Sequence, residues 1–197
     1  MNLPIHSNRR ALRAPKRRQR GQNIIGVLFG LAIIAVFIFF VVEHFLQAKN
    51  SSSSTSASTD MIAIIGKTQQ TFTGVAAGYA AVTDATVLIN DGDVPAADIQ
   101  GGNTIVLSGF GTTPITVAPV GIYGGANNGL AFTVSVPQEQ CAEFSRSVSA
   151  SAVTLTVGGT TVKDTTAGKS FDPAALSTGC GAAGSGGEIT DVITISQ

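Results

Sequence analysis

The feature that most constrains this chain is an uninterrupted apolar run from Ile24 to Val42, nineteen residues without a charged or polar side chain. As an α-helix, which rises about 1.5 Å per residue, the run would extend roughly 28 Å. The hydrocarbon core of a bilayer is about 30 Å thick, so this length suits a single crossing. We therefore predict a membrane-spanning helix over residues 22–49.

Charge is distributed unevenly on the two sides of this run. The first twenty residues hold seven of the twelve Lys and Arg residues and no acid, whereas residues 21–197 hold five basic and twelve acidic residues, a net charge of 5 − 12 = −7. The positive-inside rule places the basic N-terminus in the cytoplasm, so the C-terminal part is exported. The basic stretch alone also fits a nucleic-acid-binding arm, but the acidic remainder would repel nucleic acid.

A cleavable secretory signal is the main alternative for the N-terminal region, because a basic stretch before an apolar run is its general form. The apolar run is longer than the usual 7–15 residues of such a signal, and no A-x-A-like cleavage site follows it. Retention as a membrane helix is therefore favoured.

The composition divides the chain into four parts: a basic leader (1–21), the membrane helix (22–49), a link (50–59) and one exported domain (60–197). The link is almost wholly Ser and Thr, which is typical of a flexible spacer because such residues bury little apolar surface. The last part, about 140 residues, has a common size for one domain with its own core.

The start of the exported domain has the periodicity of a helix that packs on a sheet. Asp60 is suited to cap its N-terminus. Steps of four and three residues produce a single stripe along about six turns. The members of the stripe are Met61, Ile65, Thr68, Phe72, Val75, Tyr79 and Val82.

The rest of the domain is typical of short strands, which are rich in β-branched residues and separated by Gly, Asn and Pro turns. The predicted strands are 86–89, 104–107, 115–117, 130–136, 153–157 and 192–195. A short second helix is predicted over residues 137–149, after a proline suited to a first turn. We therefore predict an α+β domain in which the first helix covers an antiparallel sheet.

Two cysteines, Cys141 and Cys180, lie in the exported part. In an oxidising compartment such a pair usually forms a disulfide, which is our prediction. A zinc site is the alternative, but it would need two more ligands, and His6 and His44 lie on the other side of the membrane or at its surface.

The exported domain has no evident catalytic set. No histidine follows His44, so Ser-His-Asp and Cys-His mechanisms lack their base. Asp91, Asp93 and Asp98 form an acidic cluster, but the spacing and closing Glu of a calcium loop are missing, and a turn explains the cluster more simply. No glycine-rich stretch has the P-loop pattern. We predict no enzyme activity, no metal and no cofactor.

The junction Arg17-Arg18-Gln19-Arg20-Gly21-Gln22-Asn23-Ile24-Ile25-Gly26 resembles that of the type IV prepilins. In that family a membrane-embedded peptidase cuts after such a glycine and methylates the new N-terminus. The resemblance implies cleavage between Gly21 and Gln22 and methylation of Gln22. Gly26 would be the fifth residue of the mature chain, where most members have glutamate.

Three further stretches resemble type IVb pilins, in particular the thin-pilus subunits of conjugation systems. They are Leu88 to Pro95 after the helix, Val136-Pro137 running into Cys141, and the late Cys180 before a terminal strand. The resemblance implies a pilus subunit for adhesion, conjugation or motility. Its expected partners are other copies of itself, the prepilin peptidase, an assembly ATPase and an inner-membrane platform protein.

The apolar helix is then expected to serve first as an inner-membrane anchor and later as the packing surface of an extracellular filament. Gly26 and Gly30, four residues apart, would allow neighbouring helices to approach closely, although such a pair also arises by chance in an apolar run. The alternatives are a minor pilin, a type II secretion pseudopilin, an unprocessed single-pass binding or sensor protein and, last, an anchored enzyme.

Overall fold

The computed structural model describes residues 24–183 and 187–197. It divides the chain into two compact units, one that ends at His44 and one that spans Phe45–Gln197. The predicted leader, with the cleavage site at Gly21 and Gln22, lies outside the described residues.

The first helix, α1 (Ile24–Phe72), is longer than predicted. It includes residues 50–59, so the prediction of a flexible link there was wrong. Two causes are visible. Ser54, Ala57 and Ser58 are buried against the domain, and the Ser58 hydroxyl donates a hydrogen bond of 2.7 Å to the carbonyl of Ser54 one turn earlier. The Ser58 hydroxyl is thus satisfied within the helix, whereas the Ser54 hydroxyl has no hydrogen-bond partner among the described residues. The small size of all three side chains allows close packing.

The helical stripe was predicted to continue to Val82, but α1 ends at Phe72. The chain then turns at Gly74 and Gly78, which have φ of +79° and +59°. Non-glycine residues rarely adopt such angles, so the helix stops there. Tyr79 and Val82 are nevertheless buried, so the pattern identified core residues correctly and assigned the wrong local structure to them.

The last residues of the chain hold the end of α1 in place. The Gln197 side-chain amide donates to the carbonyls of Phe72 and Val75 at 2.9 and 3.1 Å. The Tyr79 hydroxyl donates to the Ser196 carbonyl at 3.2 Å, and burial together with the nearby Asp93 carboxylate raises the pKa of Tyr79 to about 12. The Phe72 carbonyl at the end of α1 and the Val75 carbonyl in the following turn, which each accept one backbone hydrogen bond, thus gain a second partner from Gln197.

Four helices and seven strands make up the regular structure of the described residues, with short 3₁₀ turns at Ala96–Asp98 and Thr165–Ala167. The helices after α1 are α2 (Ala85–Asn90), α3 (Gln138–Val148) and α4 (Pro173–Cys180). The strands are β1 (Ile99–Gln100), β2 (Thr104–Ile105), β3 (Thr116–Val120), β4 (Gly129–Pro137), β5 (Thr154–Val157), β6 (Thr160–Asp164) and β7 (Glu188–Ser196).

Five of the strands form one antiparallel sheet in the order β3-β4-β7-β5-β6, and β1 and β2 form a separate small hairpin. The C-terminal strand β7 lies in the centre, where it pairs with both β4 and β5. Alternate residues of β4 and β7 face a core that they share with buried residues of α1 and α3. The predicted α+β fold, with a helix on an antiparallel sheet, is confirmed.

The prediction of a strand at residues 86–89 was wrong, because these residues belong to α2. Asp84 caps this helix, and its side chain accepts a hydrogen bond from the Thr86 amide at 2.8 Å. A capping aspartate therefore overrides the strand preference of Val87 and Ile89. The strand β6 and the helix α4 were not predicted.

Candidate functional site

The largest exposed apolar surface of the described residues lies on the first part of α1, which we call the apolar segment (Val27–Val42). Its large side chains are between 48% and 69% exposed. They are Val27, Leu28, Phe29, Leu31, Ile33, Ile34, Val36, Phe37, Ile38, Phe39, Phe40, Val41 and Val42. They project on all sides of the helix, and no part of the chain that the structure describes covers them.

A surface of this size cannot remain in water, because monomeric soluble proteins rarely expose apolar patches above a few hundred Å². The part of the chain that the structure describes contains one helix that is long and apolar enough to cross a membrane, and it includes this segment. Lipid or other apolar helices are the environments that such a helix fits.

The two glycines that were predicted to allow close helix packing, Gly26 and Gly30, lie on α1. Gly26 is exposed and Gly30 is half-buried. A Cβ added at Gly30 would meet no atom within 4 Å, so nothing inside the chain requires glycine there. Their role in helix packing stays a prediction.

In the unit Phe45–Gln197 the two cysteines form a disulfide, as predicted, with Cα atoms 5.8 Å apart. Cys141 lies in the first turns of α3, and Cys180 is the last residue of α4. The bond closes a loop with a sequence separation of 39, which restricts the unfolded chain.

The acidic residues that fitted part of a calcium loop do not converge. The Asp93 carboxylate accepts a hydrogen bond from Thr71 on α1 at 2.7 Å. Asp98 is buried and accepts weakly from the Ser108 amide, while its burial and the Asp60 carboxylate raise its pKa. Among the described residues no group of three His, Cys, Asp or Glu side chains could hold a metal ion.

A buried carboxyl group that the sequence did not indicate lies between α3 and the sheet. Asp191 in β7 is fully buried, and one of its oxygens lies 2.6 Å from the Ser145 hydroxyl. The other oxygen has no hydrogen-bond partner among the described residues. Burial raises the pKa of Asp191 to about 7, although the hydrogen bond from Ser145 opposes this effect.

Two glutamates of α3 hold the Ser/Thr-rich stretch of α1. Asn50 donates to the Glu139 carboxylate, and Ser51 and Thr55 donate to Glu143 at 3.2 and 3.4 Å. These contacts add side-chain partners for a stretch whose composition disfavours a helix. No local sequence pattern indicates these contacts, since the paired residues are 88 to 92 positions apart.

Comparison with known protein families gives a match that covers most of the chain. Residues 51–196 match the family described as PilS N terminal. The chain belongs to this family of type IV pilins. No curated protein matches the chain.

Among solved structures, the pilin resembles TcpA, a type IV pilin from Vibrio cholerae El Tor biotype, with 18% sequence identity and a TM-score of 0.57. The similarity covers 74% of this chain and 99% of the TcpA chain, and it supports the same α+β fold. The pilin is thus a structural subunit with an apolar helix of the kind that polymerises into filaments.

Proposed function

We propose that this pilin is the subunit of a type IVb-like pilus that acts in adhesion, conjugation or motility. A prepilin peptidase removes residues 1–21 by cleavage between Gly21 and Gln22 and methylates Gln22. The apolar segment then holds the subunit in the inner membrane, with its N-terminus in the cytoplasm, until an assembly ATPase and a platform protein extract it into the filament.

The observation that carries this proposal is the exposure of the apolar segment on every side. Burial of one large apolar side chain stabilises by about 1.5–3 kcal/mol, so thirteen of them supply ample cohesion whether lipid or neighbouring helices cover them. In this proposal the helix is surrounded by lipid before assembly and by other helices after it. A helix that is apolar on every face suits both environments. A helix destined for one fixed partner would need only a stripe.

Processing is tested by co-expression of the full chain with a prepilin peptidase and measurement of the intact mass. We expect the loss of 21 residues and a gain of one methyl group at Gln22. The Gly21→Ala variant should keep its leader, whereas Gly30→Ala, the same change within the apolar segment, should be processed normally. An unchanged mass of the unaltered chain would favour an unprocessed single-pass binding or sensor protein.

Polymerisation is tested separately by electron microscopy of filaments sheared from cells that express the pilin with its assembly proteins. Filaments composed mainly of this chain would support a major subunit. The second candidate function is a minor pilin or a pseudopilin, and the glycine at position 26, where most pilins have glutamate, favours it. In that case the chain would be a trace component of filaments built from another subunit.

A further inference from the structure

The strand β3 lies at one edge of the five-stranded sheet and has β4 as its neighbour on one side. On the other side, just before β3, the Ile115 amide donates a hydrogen bond of 2.8 Å to the Ile105 carbonyl of the small hairpin. Backbone groups of alternate residues point to the same side of a strand, so Val117 and Pro119 also point outward.

The outer edge of β3 therefore has few backbone groups that are free to pair with a further strand. Ile115 is already bonded to Ile105, and Pro119 has no N–H to donate. Val117 alone presents both an N–H and a C=O, and neither has a backbone partner outside the ladder among the described residues. An added strand could therefore form both backbone hydrogen bonds only with Val117, because Pro119 prevents a longer ladder.

Val117 lines a groove with a volume of about 430 Å³. The groove is lined by residues 83–86, by Asn103 and Thr104, and by residues 114–117. Because Pro119 limits full pairing at this edge to Val117, the groove fits a short extended segment better than the edge strand of another domain.

Charge indicates what kind of segment fits. The unit Phe45–Gln197 contains five basic and eleven acidic residues, a net charge of 5 − 11 = −6. Asp84 is exposed on the groove wall, and only one of its carboxylate oxygens has a described hydrogen-bond partner, the Thr86 amide. The remaining lining is rich in threonine, whose hydroxyl groups suit polar side chains better than large apolar ones.

We propose that the groove between β3 and residues 83–86 binds an extended basic peptide, which pairs with the Val117 backbone as an added strand and places a Lys or Arg beside Asp84. Backbone hydrogen bonds would supply the attraction common to any extended segment, and Asp84 would supply the preference for a basic one. This surface lies on the exported domain and does not depend on the apolar segment.

The test is a titration of the isotope-labelled full chain, in micelles of an uncharged detergent, with the capped peptide acetyl-Thr-Lys-Val-Lys-Thr-amide at millimolar concentration. Amide NMR shifts report where it binds. We expect saturable shifts at Val117 and at residues 83–86. A peptide of the same sequence that is N-methylated at every residue should cause none, because it cannot pair with a strand.

The Asp84→Asn variant tests the charge. Asparagine also caps helices well, so α2 should remain intact, and we expect the dissociation constant to rise about two- to fivefold, as for loss of an exposed charge pair. Asp172→Asn is the matched control, since Asp172 caps α4 outside the groove, and it should bind as the unaltered chain does. The absence of saturable shifts, equal binding of the methylated peptide, or unaltered affinity in Asp84→Asn would each overturn the proposal.

Discussion

The two parts of α1 bury their side chains in different ways. In the apolar segment (Val27–Val42) every large side chain is exposed to at least 48%. In the second part, from Ser54 to Phe72, a stripe of residues at steps of three and four is buried in the domain core while the other faces are exposed. Both parts are helical, but the partner of the second part is the sheet of the same chain.

The difference shows that composition and burial need not go together. The most apolar part of the chain is the least buried, whereas the Ser-rich turn around Ser54 and Ser58 is packed inside the domain. We infer that a substitution in the apolar segment should change what the pilin assembles with. A substitution in the buried stripe should change whether the domain folds.

The largest effect that would sharpen this comparison is expected from Phe37→Asp in the middle of the apolar segment. A carboxylate at the centre of a membrane helix costs about 2.5–3.5 kcal/mol on insertion scales, and it would be equally unfavourable among packed apolar helices. We expect filament formation to be lost and membrane insertion to be weakened, as measured by electron microscopy and membrane fractionation.

Thr59→Asp, on an exposed face of the second part, is the control for that variant and should leave both properties unchanged. Near-ultraviolet circular dichroism of the Phe37→Asp chain in detergent should show a folded domain. If the domain unfolded, or if filaments still formed, the two parts of α1 would not have the separate roles described above.

The second largest effect is expected from Ile64→Ala in the buried stripe. Ile64 is fully buried in the core, so the change creates a cavity and should lower the free energy of unfolding by about 2–5 kcal/mol. Ile62→Ala, on the same helix but with Ile62 at 38% exposure, should cost well under half as much. Denaturant unfolding of the full chain in detergent measures both, and equal losses would contradict the division into faces.

Asp191 gives a third prediction, on pH. Because the pKa of Asp191 is raised to about 7 in the folded domain from 3.8, the folded state binds more protons between these values. Its contribution to stability is therefore complete below pH 4 and is lost as the pH rises toward 7. Each unit of difference in pKa corresponds to about 1.4 kcal/mol, so the expected loss is on the order of 2–4 kcal/mol.

The Asp191→Asn variant isolates this contribution, because asparagine has a similar shape and does not titrate. The difference in unfolding free energy between the unaltered chain and the variant should fall as pH rises from 4 to 8. A difference that stays constant over this range would show that the carboxyl group of Asp191 does not change its protonation in the folded domain.

Much of the fold followed from local patterns in the sequence. The apolar run, the α3 helix, the strands β4, β5 and β7, and the disulfide between Cys141 and Cys180 were predicted, because periodicity and cysteine count are local or compositional signals. The family resemblance rests on the junction before the apolar run, on Leu88 to Pro95 and on the two cysteine-bearing stretches, so the candidate assembly surface was found from sequence.

The errors have physical causes that lie beyond a local window. Residues 50–59 are helical because Glu139 and Glu143 and the domain core support them from distant positions. Asp191 reads as an ordinary polar residue in a strand, since its burial arises only when α3 covers β7. The groove beside β3 likewise arises only when residues 83–86, 103–104 and 114–117 come together in the fold.

The smallest effect concerns the support of the Ser/Thr-rich stretch by Glu143. Its carboxylate accepts from Ser51 and Thr55 on an exposed surface, so Glu143→Ala should lower overall stability by only about 0.5–1 kcal/mol. Its local effect should be larger than its global one, because Ser and Thr compete with helical hydrogen bonds and favour other conformations. We expect faster amide hydrogen exchange over residues 51–56 and unchanged exchange in the sheet.

Glu143→Gln is the matched control, since glutamine keeps an acceptor oxygen in the same place and should preserve most of the protection. If the alanine variant exchanged at the same rate as the unaltered chain, the buried face around Ala57 would by itself be sufficient to keep the stretch helical. The second part of α1 would then depend on the core alone, and its contrast with the apolar segment would extend to every residue after Asn50.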